Sequence, residues 1–346
     1  METNIQFMKA NKISTGKIID GKEVFALELV NNHGSSVKIY NYGGIISSFI
    51  ITNAKGDKQD ILLGFDDIDG YISEDYLSNY PYLGAVIGRY SNRIKDGQFN
   101  IDGTSYQMTT NLHGGETGFD KKVWDILPTI DPSLTLQYIS PAGEEGFPGN
   151  LTVQVTFKLS DEDELTLDYK AVTDAVTPIN LTHHSYFNLE THGGNVANHH
   201  HRMPASKYLA QDQDYIVTGA VVPVEGTIHD FLGGKPIGQD WDSGEGYDQS
   251  YVLDKPYGEL GLASESTVAS SGLKLEIYTT EPIAHFYTAK YMDVENGKDG
   301  KHYHPFDAFC VETQHYPNGI NIPGFPGGIL KPGEIYKQTT IFKVSK

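Results

Sequence analysis

Leu151-Thr-Val-Gln-Val-Thr-Phe-Lys-Leu159 is a stretch in which an apolar side chain occupies every second position. Successive side chains of a β-strand point to opposite faces, so this pattern predicts a strand with one buried face. The residues Asp161–Asp163 suit a turn, and the alternation resumes from Leu165 to Ala171. The two segments together predict an antiparallel hairpin.

The same alternation recurs along the chain, and no window shows a long 3.6-residue period with helix caps. The further segments with an apolar residue at every second position are Phe25–Leu29, Val37–Ile39, Leu134–Tyr138, Leu273–Ile277 and Ile335–Val344. Short helical turns are expected at Ile68–Ser73 and Tyr287–Asp293. Turns are spread evenly and no linker interrupts them. We therefore predict an all-β chain that forms one large antiparallel β-sandwich with few short helices, as a single domain over residues 1–346.

Composition narrows the classes of function. The chain has 346 residues, a formal net charge of −19 and a sequence pI near 5.0. Such an acidic surface repels nucleic-acid phosphates and anionic lipids, so we expect neither as a partner. Cys310 is the only cysteine, which suits a reducing compartment. With no signal-peptide pattern at Met1–Ser14 and no membrane-spanning apolar run, a cytoplasmic location is expected.

A polar, aromatic segment in the middle of the chain is the first candidate for chemistry. It reads Asn180-Leu-Thr-His-His-Ser-Tyr-Phe-Asn-Leu189. If it is a strand, His183 and His184 point to opposite faces, so that only one of them can line a cleft. From this stretch alone, a half-buried strand with satisfied histidines is the favoured interpretation.

Two further segments carry candidate catalytic groups. His113 precedes two glycines, where the backbone can approach a ligand closely, although an ordinary turn is the alternative. Glu312 lies in Cys310-Val-Glu-Thr-Gln-His-Tyr-Pro317. A carboxylate among apolar and aromatic groups suits a general base, and a solvated strand glutamate is an equal alternative.

Charged residues elsewhere give weaker signals. Arg89 and Arg93 follow a run of small and apolar residues, and a structural ion pair is the alternative for both, favoured for Arg89. Asp248 follows Gly246-Tyr, where a turn aspartate is the alternative. No serine-nucleophile elbow, phosphate loop or dinucleotide fingerprint occurs, so hydrolysis through a serine and nucleotide chemistry lose support.

Histidine clusters raise the possibility of a metal site. His199, His200 and His201 are consecutive, so their side chains diverge on a strand, and a solvated strand or loop is the favoured interpretation. His302 and His304 could share a strand face, but their Lys- and Gly-rich surroundings favour exposure. We therefore expect no metal ligands among these histidines.

Five separated segments resemble, in the same order, the galactose mutarotase (aldose 1-epimerase) family. They are Gly88-Arg-Tyr-Ser-Asn-Arg-Ile94, Leu112-His-Gly-Gly115 with Gly118-Phe-Asp-Lys-Lys-Val-Trp124, Asn180–Leu189, Gly246-Tyr-Asp248, and Glu312-Thr-Gln-His-Tyr-Pro317 with Asn321. The resemblance covers nearly the whole chain. It implies a mutarotase-like supersandwich with an open cleft on one sheet, and cofactor-free interconversion of the α and β anomers of hexoses such as galactose and glucose.

The resemblance also implies roles for single residues. Glu312 would be the general base on the anomeric hydroxyl, and His184 would be the acid that protonates the ring oxygen. His113 would hydrogen-bond the sugar near the reacting centre. Arg93 with Asn92 would hold substrate and base in place.

The sequence departs from the family pattern at several positions, none of which replaces the proposed acid or base. Asp248 would grip ring hydroxyls, but Gln249 and Ser250 replace the usual His-Asn after it. His285 stands where a sugar-binding Gln is usual, so we expect it to affect which sugar is preferred. His183 stands where Asn is usual, and His184 keeps the expected offset to Tyr-Phe-Asn.

Other functions remain possible at this stage. A lectin-like carbohydrate-binding protein would use the same aromatic cleft but would not need Glu312 together with His184. A hexose-phosphate epimerase should have more arginines around the cleft, and a histidine-rich metalloenzyme should have a coherent ligand set. The expected partner is a monosaccharide, and the expected state is a monomer or homodimer.

Overall fold

The computed structural model describes residues 9–52, 57–129, 133–241 and 245–346. Within these ranges the chain is built mainly from antiparallel strands, which confirms the all-β prediction. The strands are β1 (Lys9–Ile19), β2 (Lys22–Val30), β3 (Ser36–Tyr40), β4 (Ile46–Thr52), β5 (Lys58–Asp60), β6 (Val86–Ile87), β7 (Gln98–Ile101), β8 (Thr104–Gln107), β9 (Asp125–Leu127), β10 (Ser133–Ser140), β11 (Leu151–Leu159), β12 (Glu164–Thr173), β13 (Thr177–Pro178), β14 (Thr182–His183), β15 (His200–Arg202), β16 (Lys207–Gln211), β17 (Val217–Pro223), β18 (Lys235–Pro236), β19 (Asp248–Val252), β20 (Gly261–Thr267), β21 (Lys274–Thr279), β22 (Ile283–Tyr287), β23 (Cys310–Gln314), β24 (Ile329–Leu330) and β25 (Tyr336–Ser345).

The hairpin predicted from alternation forms the middle of the largest sheet. This sheet has nine strands in the order β18-β15-β20-β21-β25-β12-β11-β10-β9. In β11 the apolar positions from Leu151 to Leu159 are buried, and the residues between them are partly or fully exposed. Val155 pairs directly with Tyr169 of β12, so both contribute to the buried face. Burying one such side chain contributes about 1.5–3 kcal/mol, which explains why the alternation fixes the register.

Two five-stranded sheets complete the sandwich. One has the order β1-β2-β3-β4-β5 and the other β17-β16-β19-β22-β23. A single buried apolar cluster draws on all three large sheets, with Phe49 from the first, Phe157 from the nine-stranded sheet and Phe286 from the third. The sheets are therefore joined through one core, and the third sheet leaves its opposite face for polar side chains.

Helices are few and short. The α-helices are α1 (Ile68–Tyr71) and α2 (Glu74–Ser78). Single 3₁₀ turns lie at Lys95–Gly97, Phe119–Lys121, Glu144–Gly146, Val196–Asn198, Lys298–Gly300 and Gly319–Asn321. Among the described residues, no helix is long and apolar enough to cross a membrane.

One of the two predicted helical turns is confirmed and the other is wrong. The side chain of Asp67 accepts a hydrogen bond from the Asp69 backbone N–H and caps α1, which lies in the predicted segment. The segment Tyr287–Asp293 is not helical, because Tyr287 is the last residue of β22. The Tyr287 hydroxyl then accepts a hydrogen bond from the Tyr291 backbone N–H and stabilises a turn instead.

Candidate active site

Glu312 occupies the centre of β23, a strand in which all five residues are buried. Only 2% of Glu312 is exposed, so the alternative of a solvated strand glutamate is wrong. In the register of the third sheet His285 of β22 lies directly opposite Glu312, and Ser250 of β19 lies directly opposite His285. Three polar side chains therefore form one row across adjacent strands.

The two adjacent histidines have different environments, as the strand geometry predicts. His183 Nδ1 and Ser185 Oγ are 2.8 Å apart, and the His183 ring meets Phe342 edge-on on the core side. His184 points the other way, and backbone hydrogen bonds to Ala85 and Gly84 hold its main chain in place. Only His184 therefore reaches the polar face.

His113 is placed by a tight reciprocal contact between two loops. Both His113 and Asn92 have left-handed backbone conformations, with φ of 50° and 58°. The His113 N–H donates to the Asn92 carbonyl, and the Asn92 N–H donates to His113 Nδ1 at 3.2 Å. At Gly114 an added Cβ would lie 2.0 Å from the Gly88 carbonyl oxygen, so only glycine fits beside His113.

The catalytic candidates Glu312 and His184 lie side by side. Glu312 Oε1 and His184 Nε2 are 3.6 Å apart, which is longer than a hydrogen bond. Burial lowers the pKa of His184 below 6.5, although the neighbouring carboxylate acts in the opposite direction. The lowered pKa favours the neutral form of the His184 imidazole near neutral pH. Glu312 Oε2 is buried without a hydrogen-bond partner among the described residues, so it can accept a hydrogen bond from a ligand.

All seven residues predicted for the site line one cavity of about 170 Å³. They are Asn92, Arg93, His113, His184, Asp248, His285 and Glu312. The walls also include tyrosines that the sequence did not single out as site residues, namely Tyr80, Tyr82, Tyr186, Tyr287 and Tyr291.

Two of these tyrosines pack against the His184 ring. The His184 ring is stacked on Tyr186 at 4.9 Å and faces Tyr82 in nearly parallel orientation at 6.0 Å. Tyr82 also meets His113 edge-on at 4.7 Å. Aromatic faces beside a few fixed polar groups are the usual lining of a small-molecule site, and they suit the C–H face of a sugar ring.

The sugar-binding candidates lie on the other wall. His285 Nε2 is 3.0 Å from Asp248 Oδ1, and His285 Nδ1 is 2.8 Å from Ser250 Oγ. Burial acts to raise the pKa of Asp248, but the hydrogen bond from His285 and nearby cations hold that pKa below its usual value. The Arg93 guanidinium lies over the Tyr215 ring at 5.3 Å.

Two imidazoles and one carboxylate in this cavity have the composition of a zinc site. His113, His184 and Glu312 each offer a ligand atom within 4.8 Å of the others. The tautomer of His113 opposes this use. Burial keeps the pKa of His113 well below 6.5, and the Asn92 N–H occupies the lone pair of Nδ1, so the proton of the neutral ring is on Nε2. His113 therefore presents an N–H donor to the cavity and not a free lone pair.

Comparison with known proteins assigns the chain to a family. Residues 26–343 match the family model described as aldose 1-epimerase. The chain belongs to the aldose 1-epimerase family. It is 40% identical over 320 residues to galactose mutarotase of Mus musculus, covering 90% of this chain and 91% of that protein. It is 31% identical over 337 residues to aldose 1-epimerase of Escherichia coli (strain K12), covering 94% and 96%.

Solved structures of aldose 1-epimerase relatives share the fold. An aldose epimerase homologue from C. elegans superimposes with a TM-score of 0.85 at 28% identity, covering 97% of this chain and 99% of that one. Galactose 1-epimerase from Lactobacillus acidophilus NCFM gives a TM-score of 0.83 at 27% identity, covering 98% and 99%. The mutarotase-like supersandwich inferred from the five segments is therefore confirmed.

Arg89, which the sequence raised as a candidate, lies outside the cavity and has a structural role. The buried Arg89 guanidinium donates hydrogen bonds to Ser140 Oγ and to backbone carbonyls, including those of Pro148 and Gly149. This agrees with the structural role favoured for Arg89, although carbonyls replace the expected ion-pair partner.

The expectation that the His199–His201 run is solvated is wrong for two of its members. His199 and His201 are fully buried, and His200 alone is exposed.

His302 and His304 are exposed, as expected from their surroundings. Their rings lie 4.1 Å apart, and His302 Nε2 is 2.6 Å from Asp293 Oδ1. They lie outside the set of residues that line the catalytic cavity.

Proposed function

We propose that this protein is an aldose 1-epimerase (mutarotase) that interconverts the α and β anomers of hexoses such as galactose and glucose. The observation that carries the proposal is the pairing of Glu312 with His184, 3.6 Å apart and buried in one small cavity. A carbohydrate-binding protein without turnover does not need an acid and a base at this distance. Family membership supports the same reaction class.

The reaction requires two proton transfers and no change of oxidation state. Glu312 removes the proton from the C1 hydroxyl while protonated His184 gives a proton to the ring oxygen. The bond between C1 and the ring oxygen breaks and leaves an open-chain aldehyde. Rotation about C1–C2 and the reverse transfers close the ring to the other anomer. Each well-placed proton-transfer group typically contributes about 10²- to 10⁴-fold.

The other cavity residues bind and orient the sugar in this proposal. His113 donates its Nε2–H near the reacting centre, and Asp248 accepts hydrogen bonds from ring hydroxyls. Arg93 with Asn92 holds the substrate and the base in position. His285 influences the choice of sugar. The cavity of about 170 Å³ suits a single monosaccharide unit.

We also infer the setting of the reaction. The whole chain acts as one domain, as a monomer or homodimer, on a free monosaccharide in the cytoplasm. A net charge of −19 disfavours nucleic acid and anionic membranes as partners.

Polarimetry tests the proposal directly. Freshly dissolved α-galactose, α-glucose and maltose are followed with the purified protein and with buffer alone. We expect the approach to the equilibrium rotation to be much faster with protein for at least one hexose. A rate equal to that of buffer for every sugar would refute the assignment.

Exhaustive chelation before the same assay tests metal independence. The tautomer of His113 opposes metal binding, and acid–base ring opening needs no Lewis acid, so we expect an unchanged rate. Loss of activity that zinc or another divalent ion restores would contradict this expectation.

A further inference from the structure

Ser250, His285 and Asp248 form a continuous hydrogen-bonded chain along one wall of the cavity. Ser250 Oγ is 2.8 Å from His285 Nδ1, and His285 Nε2 is 3.0 Å from Asp248 Oδ1. Ser250 is fully buried and His285 is 3% exposed. Both ring nitrogens of His285 are therefore engaged by the protein, and neither is left for a sugar hydroxyl.

We propose that Ser250 and His285 are positioning residues that fix the Asp248 carboxylate for the sugar hydroxyls, so that sugar choice depends on this chain and not on a direct contact from His285. The inference rests on the proposed mutarotase function. It gives Ser250 a role in binding although Ser250 is not among the residues that line the cavity.

The protons in the hydrogen bonds among Ser250, His285 and Asp248 can be assigned from the chemistry of the three groups. A carboxylate only accepts, so His285 Nε2 carries the proton that is shared with Asp248. In the neutral ring Nδ1 is then an acceptor, and the Ser250 hydroxyl donates to it. Asp248 Oδ1 is held by this contact, and the proposal assigns Oδ2 to a sugar hydroxyl. A hydrogen bond to a charged group is stronger than a neutral one, so the orientation of Asp248 is well defined.

Strand register explains why the two positions act together. Ser250 and His285 are direct cross-strand partners in β19 and β22, and side chains at such positions are close neighbours. Both residues depart from the family pattern, in which Asn is usual at position 250 and Gln at position 285. The short Ser250 side chain leaves room for the His285 imidazole, and its hydroxyl forms a hydrogen bond with His285 Nδ1.

A second buried serine in the protein provides a matched control for Ser250→Ala. Ser266 is also buried, and its Oγ is also 2.8 Å from a histidine Nδ1, that of His201. This second pair lies in the nine-stranded sheet and does not line the cavity. Ser266→Ala therefore removes the same kind of bond without touching the chain that ends at Asp248.

Steady-state kinetics on galactose and glucose compare the two variants. Ser250→Ala leaves a buried nitrogen unpaired and loosens Asp248, so we expect KM to rise about tenfold with a much smaller change in kcat. Ser266→Ala should change neither constant appreciably. An unchanged KM in Ser250→Ala, or a fall in kcat at constant KM, would overturn the proposal.

His285→Gln and the double variant test whether the residues act as one unit. His285→Gln should alter the ratio of the KM values for galactose and glucose, with kcat within about tenfold. Because Ser250 acts only through His285, Ser250→Ala combined with His285→Gln should lose no more than His285→Gln alone. Fully additive losses would refute the proposal that Ser250 acts through His285. A collapse of kcat for every sugar would refute the positioning role and make His285 a catalytic residue.

Nitrogen-15 NMR of the histidine rings provides a readout that does not depend on turnover. We expect His285, assigned by its loss in His285→Gln, to carry its proton on Nε2, and this preference to weaken in Ser250→Ala but not in Ser266→Ala. A neutral ring protonated on Nδ1 in the unmodified protein would overturn the proposal. If polarimetry shows no mutarotation, the proposed function fails, while the NMR comparison of the His285 tautomer still tests the hydrogen bonds among Ser250, His285 and Asp248.

Discussion

At the scale of single residues, the central feature is an imidazole that burial keeps neutral next to a carboxylate. Burial, to which the rings of Tyr82 and Tyr186 beside His184 contribute, lowers the pKa of this histidine. Glu312 favours the protonated ring, but its effect is smaller than that of burial. Once protonated, His184 is thus a stronger acid than a free imidazole. This suits the transfer of a proton to a ring oxygen.

The pH dependence of kcat/KM follows from this shift. The proposed mechanism requires Glu312 ionised and His184 protonated, so the profile should be bell-shaped. Because the pKa of His184 lies below 6.5 in the folded protein, the fraction of protonated ring falls as the pH rises through that lower value. We expect the basic limb below about 6.5, the value of an unperturbed imidazole.

Initial rates of galactose mutarotation, corrected for the buffer reaction at each pH, measure this profile. Glu312→Gln should abolish the acidic limb, because the group that loses activity on protonation is gone. A basic limb clearly above 6.5 in the unmodified protein would contradict the account.

At the scale of elements, the turn that carries His113 depends on a glycine that accepts no side chain. Gly114 has φ of 89°, and an added Cβ would lie 2.0 Å from the Gly88 carbonyl oxygen. Any substitution must therefore move the backbone of the turn or of the segment beside β6. Either movement displaces His113 from the wall that it shares with His184.

Gly114→Ala is expected to lower kcat/KM by about tenfold or more, since small displacements of a positioned group are costly. Gly103→Ala is the matched control, because Gly103 has φ of 84° but no atom within 4 Å of an added Cβ. Both variants pay about 1–2 kcal/mol for a left-handed alanine, measurable as lower thermal stability. Equal activity in the two variants would show that the close approach at Gly114 does not position His113.

Local alternation was enough to predict most strands, but not the environment of every residue. The hairpin of β11 and β12 was predictable because burial alternates strictly with sequence. His199 and His201 were predicted to be solvated, yet their partners are distant in sequence. The Leu189 N–H donates to His199 Nε2 from 10 residues away, and His201 meets Ser266 from 65 residues away. No local pattern reports such contacts.

The tyrosines of the cavity were missed for a related reason. Tyr82 and Tyr287 occur among strand-forming and apolar residues, where an aromatic side chain predicts a core position. Only the packing of separate segments shows that they face the cavity. The catalytic candidates were found through the ordered resemblance of five segments to a known family, each weak by itself, whereas an aromatic wall has no motif.

At the scale of the whole molecule, buried titratable groups link stability to pH. Burial lowers the pKa of His183 and His201 to about 3 and that of His199 to about 4. Below about 6.5 the unfolded chain binds a proton on each ring and the folded chain does not, so acid favours unfolding. Burial also raises the pKa of Asp120 to about 6 and of Glu281 to about 8, which acts in the opposite direction.

We expect the histidines to prevail below neutrality, because these three rings, together with His229 and His315, whose pKa values burial lowers to about 4, outnumber the two carboxyl groups. Each shifted group contributes about 1.4 kcal/mol per pH unit. The free energy of unfolding should therefore fall as the pH falls from about 6.5 towards 5, with the greatest stability near neutral pH. Denaturant titrations at several pH values measure it. A free energy of unfolding that rises steadily on acidification over this range would contradict the prediction.

The most direct test of the central claim compares the two adjacent histidines. The initial rate of α-galactose mutarotation is measured for His184→Asn and His183→Asn at equal protein concentration, with both variants checked for folding. His184→Asn should lose about 10²-fold or more, because the acid is gone. His183→Asn should retain most of its activity, because that side chain faces the core. Full activity in His184→Asn together with an inactive His183→Asn would contradict the account and exchange the roles of the two residues.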